Sequence, residues 1–253
     1  MALSLNNLAG ALEGQGKRSE AEPIFREALA MREKLLGVAH PDDAQSLNNL
    51  AGLLVQRGQL ADAEAMFRGA LGIVRAKCGP EHPAVAVLLH NLGSVMARQG
   101  KFAEAEPCLR EALAMRKKLL GSEHPNVANT LGKLAGVLVK LGGLAEAEAV
   151  QRERLALLEK LQPDDWSTFL EQADLGWTLH VQNKDVEAEK FLRSGYEGMK
   201  QRERKMSDGD QNHLRDSLVH LERFYAAMNQ PERAAEWKMK WEEFDKRESG
   251  VRK

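Results

Sequence analysis

Gly37-Val38-Ala39-His40-Pro41, Gly79-Pro80-Glu81-His82-Pro83 and Gly121-Ser122-Glu123-His124-Pro125 stand 42 residues apart, and their shared Gly-x-x-His-Pro pattern decides the fold. A fixed period of this size marks a stacked array, because each unit is too small to bury its own apolar face and must lean on its neighbours. Working outward, the same period brings Leu5-Asn6-Asn7-Leu8-Ala9, Leu47-Asn48-Asn49-Leu50-Ala51, Leu89-His90-Asn91-Leu92-Gly93 and Leu131-Gly132-Lys133-Leu134-Ala135 into register. Gly16, Gly58, Gly100 and Gly142 follow, and then Glu20-Ala21-Glu22, Asp62-Ala63-Glu64, Glu104-Ala105-Glu106 and Glu146-Ala147-Glu148.

Leucine and alanine recur in these segments at three- and four-residue spacing, the period of an amphipathic helix, so each unit is expected to be two helices. The glycine between them suits the left-handed stop of a first helix. The alanine of each Glu-Ala-Glu step is small because two helices cross there at short distance. His-Pro ends one pair and opens the next, since proline fits a first helical turn, with Asp42 and Asn126 favouring the start.

A fifth and a sixth unit follow with drifted spacing. Leu175-Gly176, Asn183 and Glu187-Ala188-Glu189 lie 41 residues after their counterparts, and Leu221, Tyr225, Asn229 and Ala234-Ala235 lie 46 further on, the loop from Lys205 to Asp210 absorbing the length. The expected fold is all-α: a right-handed superhelical solenoid of about six helix hairpins. Its array covers 1–204, in units near 2–41, 44–83, 86–125, 128–162 and 167–204, with a degenerate cap at 205–247 and a flexible tail at 248–253. In the cap, Trp237, Trp241 and Phe244 make one apolar stripe among charged residues. At the other end Met1-Ala2 enters a first helix directly, as expected of an array that continues upstream.

These residues resemble the tetratricopeptide repeat family in its 42-residue form, found in kinesin light chains and in many bacterial proteins. The resemblance rests on Leu50-Ala51 and Leu92-Gly93, the turn glycine, Ala63 and Ala105, Phe25 and Phe67, and the His-Pro junction. It implies that the first helices line a concave groove that holds a segment of a partner. Counting from the small residue after each leucine, the implied wall comprises Asn6, Asn48 and His90, with Val55, Gln56, Ser94, Arg98 and Lys140 further along, and Gln45 and Asn129 counted with them. Gly132, Gly14, Glu13, Ala97, Val139 and a row of small residues complete that surface.

An asparagine amide both donates and accepts, so a row of them can pair with a peptide backbone without demanding one sequence. Arg98 and Lys140 add positive charge, which points to an acidic or carboxy-terminal peptide. The alternative for Asn6 and Asn48 is a bond to the preceding inter-repeat loop; Asn7, Asn49 and Asn91 are expected to be structural. In the fifth unit the same positions hold Ala173, Trp177, His180 and Val181, with Trp177 expected in the core and a hot-spot anchor as the alternative.

With a formal net charge of −1, no global attraction to nucleic acid or an anionic membrane is expected. No stretch approaches the about 20 apolar residues needed to span a bilayer, and no signal peptide stands at Met1. Cys78 and Cys108 fall near opposite ends of corresponding helices, too far apart for a disulfide, and imply a reducing cytoplasm. His40, His82 and His124 lie about 10 Å apart, a helix diameter, and so cannot share a metal. No phosphate-cradling loop, zinc-protease motif, nucleophile elbow or cysteine–histidine pair is present. No cofactor, metal or small-molecule substrate is therefore expected. The favoured function is a non-catalytic protein-binding scaffold; the alternative is a regulatory or substrate-recruiting region of a larger signalling enzyme, such as a bacterial protein kinase.

Overall fold

The computed structural model describes residues 1–36, 40–207 and 209–251. Among them the chain forms twelve α-helices in consecutive pairs: α1 Ala2–Gly14 with α2 Arg18–Leu36, α3 Pro41–Gln56 with α4 Leu60–Cys78, α5 Pro83–Arg98 with α6 Phe102–Leu120, α7 Pro125–Lys140 with α8 Leu144–Leu161, α9 Trp166–Val181 with α10 Asp185–Gln201, and α11 Asn212–Ala227 with α12 Pro231–Val251. Six hairpins of a helical repeat solenoid result. They group into two compact units, Met1–Val137 and Leu138–Lys253. The junction residues 37–39 and loop residue 208 lie outside the described residues, as do 252 and 253; the segment 248–251 of the expected tail is the last turn of α12.

The His-Pro junction is a helix cap. His40 and His82 hold extended backbone, and their Nδ1 atoms accept the amide hydrogens of Asp42 and Ala84 at 3.2 Å, while His124 accepts from Asn126 at 3.1 Å. Each imidazole thus satisfies one of the backbone donors that a helix start leaves orphaned, and the proline beside it has no such donor to satisfy. The fifth hairpin lacks His-Pro, and Asp165 substitutes for it, its Oδ1 accepting from the Ser167 amide at 2.9 Å.

The first helices stop as their glycines dictate. Gly58 has φ +77°, its amide donates to the Val55 carbonyl, and the next amide, of Gln59, reaches back to Leu54 at 2.9 Å. This paired closure needs a left-handed residue. In the drifted hairpins Asn183 and Asn229 take that conformation, with φ 61° and 55°.

In the first unit the core is Ala21, Phe25, Leu50, Leu54, Ala63, Phe67, Leu89, Leu92, Ala105, Leu109 and their neighbours. The helices of a pair approach closely where small residues face each other: a β-carbon on Gly93 would stand 2.7 Å from Leu109 Cγ. In the first unit, the last glutamates of two Glu-Ala-Glu steps, Glu22 and Glu64, clasp the following pair. Glu64 accepts from Gln99 at 3.0 Å and Lys101 at 2.7 Å in the following repeat, and Arg57 pairs with Glu22 in the same way. The Lys101 hydrogen bond, helped by those of Arg68 and Gln99, outweighs burial and holds the Glu64 carboxyl below its usual range.

The second unit repeats the device. Glu148 accepts from Gln182 at 2.9 Å and from Lys184, and Glu189 accepts from the Tyr225 hydroxyl at 2.8 Å. Its core joins Leu155, Leu175, Leu179, Leu192, Met199, Leu214, Leu218, Leu221, Phe224 and Tyr225 to Trp237 and Phe244 of the α12 stripe.

Candidate functional site

The asparagines of the first unit form a ladder across successive first helices. Asn49 Nδ2 donates to Asn6 Oδ1 at 3.4 Å, Asn48 Nδ2 donates to Asn49 Oδ1 at 3.4 Å, and Asn91 Nδ2 donates to Asn48 Oδ1 at 2.9 Å. Asn6 and Asn48 therefore bond to asparagines of the next repeat, not to an inter-repeat loop, and Asn49 and Asn91 are the residues that join one repeat to the next. Asn6 is only 3% exposed, covered by α3, whereas Asn48 keeps an open edge.

One rung further, the two asparagine positions hold His90 and Lys133. The His90 ring is half-buried, and its Nδ1 has no hydrogen-bond partner. Burial first, and then the charges of Arg116 and Lys133, push its pKa down to about 4, so it is a neutral imidazole at neutral pH. Ser94 turns its hydroxyl back to the His90 carbonyl at 2.7 Å. Arg98 reaches the Val55 carbonyl at 3.2 Å, and Gln56 reaches Glu13 at 2.8 Å, so both side chains are tethered to the preceding repeat while staying exposed. Val55 is half-buried, Gln45 and Asn129 are exposed, and Lys140 is an exposed residue of the second unit.

Beneath this surface runs a polar latch that the sequence reading missed. Arg32 is 4% exposed on α2, and its Nη1 donates to Ser46 Oγ at 2.9 Å and to the Asp42 carbonyl. Two repeats on, Arg116 is 6% exposed, and its Nη1 donates to Thr130 Oγ1 at 2.6 Å and the Asn126 carbonyl at 2.9 Å. The repeat between them has Val74 and Leu88 in the two columns, both buried. A cavity of about 360 Å³ opens there, lined by Ala44, Gln45, Asn48, Val74, Cys78, Val87 and Leu88 among others. It joins two wall residues to an apolar floor. The signal was present in the 42-residue register, as the two positions where Arg-Ser and Arg-Thr become Val-Leu.

In the second unit Trp177 is half-buried rather than wholly in the core, its ring stacked on His220 at 4.3 Å between centroids. No described helix is long and apolar enough to cross a membrane.

The paired helices, capped junctions and clasped glutamates define a helix-hairpin repeat protein. The model of the tetratricopeptide repeat matches residues 1–76, 42–118 and 85–160, and the chain belongs to that family. Among solved structures it is similar to the nearly identical TPR-like repeats of a Podosopora anserina protein assigned as a kinesin light chain, with 24% identity over 81% of this chain and 96% of that one and a TM-score of 0.67. BtubC (BKLC) from P. vanneervenii is 25% identical over 77% of this chain and 78% of that one, with a TM-score of 0.67. YrrB, described as a TPR protein with an unusual peptide-binding site, shares the fold at 19% identity over 78% of this chain and 86% of that one, with a TM-score of 0.55. No curated protein matches the chain.

Proposed function

We propose that the chain is a non-catalytic scaffold whose first unit holds an extended segment of a partner protein along α3 and α5, with one apolar side chain of that segment seated in the Val74–Leu88 cavity. The replacement of a buried polar latch by that apolar pair carries this reading. Its neighbours fill the same place with a hydrogen-bonded guanidinium, and here the place is left open beside Gln45 and Asn48. Apolar pockets with a few convergent polar groups are where ligands gain both affinity and orientation. The Asn48 amide offers its open edge to a peptide backbone, and an acidic residue of the segment would meet Arg98 or Lys133. Cys78 and Cys108 are free thiols, in keeping with a reducing cytoplasmic setting.

The test is to select peptides on the full chain from a displayed random library and to measure their affinity for Val74→Arg/Leu88→Thr. That double change installs the latch its neighbours carry and closes the cavity with the fold kept. The expected outcome is an enriched apolar position and at least a ten-fold loss of affinity in the variant. Unchanged affinity in a variant of native helicity would place the ligand elsewhere.

A further inference from the structure

Arg75 of α4 and Glu111 of α6 join two successive second helices of the first unit, the guanidinium Nη2 donating to both carboxylate oxygens at 2.7 and 2.8 Å. The 42-residue period, with the offsets of 41 and 46 in the drifted hairpins, carries Arg75 to Lys200 on α10 and Glu111 to Lys240 on α12. Where the first unit pairs opposite charges, the second unit sets two lysines. Both line a cavity of about 320 Å³, together with Arg247 and Tyr196, over a floor that includes the buried Leu218 and Phe244.

Three cations meet two carboxylates here, and only one carboxylate is engaged. Glu203 takes Lys200 at 2.8 Å and Arg247 as well. Lys240 Nζ lies over the Trp237 ring, 3.8 Å from its centroid, and among the described residues it has no carboxylate partner. Glu243 also lines the cavity; it is exposed and, among the described residues, pairs with no cation. The Tyr196 ring meets Trp237 edge-on at 5.2 Å. Burial, and then the charge of Glu203, raise its phenol above the ordinary range, so it stays a neutral hydrogen-bond donor at neutral pH. The cavity thus gathers donors and positive charge at the place where the first unit holds a carboxylate.

We propose that this cavity binds an acidic side chain, glutamate foremost, presented by a partner protein segment, its carboxylate lying between Lys200 and Lys240 and an apolar neighbour of that segment covering Leu218 and Phe244. The partner supplies in this way the group that Glu111 supplies between α4 and α6. A carboxylate fits better than a phosphate because a glutamate already spans the corresponding gap in the first unit. A surface ion pair alone contributes little, but two lysines converging on one anion over an apolar floor are less screened by water and salt. The site lies wholly in the second unit and is independent of the Val74–Leu88 cavity.

The experiment titrates the full chain with a blocked tetrapeptide carrying two glutamates beside a leucine, and with its glutamine counterpart as the uncharged control, following tryptophan emission and heat at low salt. The glutamate peptide is expected to bind at least ten-fold tighter than the glutamine peptide. Lys240→Gln should weaken it five-fold or more, and Lys240→Glu, which supplies the carboxylate from within the chain, should weaken it at least ten-fold. Val74→Arg/Leu88→Thr should leave it unaltered, so failure of the cavity reading in the first unit and failure of this one are separate results. Equal affinity for the two peptides, or a normally folded Lys240→Glu variant that binds as the parent does, would overturn the proposal. So would displacement of the peptide by an equal concentration of inorganic phosphate at matched ionic strength, which would mark a site for a free anion.

Discussion

Gly58 and Asn183 occupy the same turn in different repeats, and both lie in left-handed backbone. No atom would meet a β-carbon on Gly58, so the demand there is conformational alone. Asparagine tolerates this region better than other residues with side chains, and β-branched residues tolerate it worst. Gly58→Asn should therefore change stability by less than about 0.5 kcal/mol, whereas Gly58→Val should cost about 1–2 kcal/mol, both read by urea denaturation. Asp174 makes the opposite kind of demand. Its folded pKa, about 6, lies above the ordinary 3.8, so the folded state binds the proton more tightly than the unfolded state. Stability should accordingly rise as the pH falls from about 7 towards 4, and Asp174→Asn should add about 1–3 kcal/mol at pH 7.5 while flattening that rise, with melting followed against pH. His90 acts with the reverse sign: its pKa is depressed to about 4, so the contribution of its neutral form is lost as the pH falls through 6.5 towards 4.

At the scale of helices, small residues separate those that cross closely from those that face water. A β-carbon on Gly93 would collide with Leu109 and with the Ala105 carbonyl oxygen at 3.2 Å, while one on Gly136 meets nothing within 4 Å. Gly93→Ala should cost about 1–3 kcal/mol through forced separation of α5 and α6, and Gly136→Ala should stabilise by up to about 1 kcal/mol through helix propensity. Equal effects in thermal melts would refute the assignment of close contact to Gly93. The hairpins, their turns and most of the small crossing residues were legible in the sequence because packing and backbone geometry impose the same residue at the same phase of every unit. The drifted hairpins were legible as well, since Asn183 and Asn229 preserve the turn. What stayed hidden depends on long side chains reaching into the next repeat. Glu64 clasps Lys101 and Gln99, a pairing no single unit discloses. The asparagine row was visible, but its partners were not, because Asn49 bonds a residue 43 positions away.

At the scale of the whole molecule, successive junctions of the first unit are filled by different residue pairs. Stability in such a protein is close to a sum of unit and nearest-neighbour terms, so a junction can be altered without rebuilding the rest. The first and third junctions carry Arg32–Ser46 and Arg116–Thr130, and the second carries Val74–Leu88. If these are alternative fillings of one site, the second can be transplanted onto the third. Arg116→Val alone should cost about 2–3 kcal/mol, because it removes two hydrogen bonds and leaves a void, the Thr130 hydroxyl keeping its own bond to the Asn126 carbonyl at 2.8 Å. Thr130→Leu alone should also destabilise, by setting an apolar group against a buried guanidinium that keeps only part of its hydrogen bonding. The double variant should lose less than the two single losses added together, because it removes the buried charge along with its hydroxyl partner. A double-mutant cycle in urea, with an expected coupling of about 1–2 kcal/mol, measures this. Additive losses would mean that each junction is locked into its own geometry, and that the open cavity at Val74 is a property of that repeat's backbone rather than of the two side chains that replace the latch.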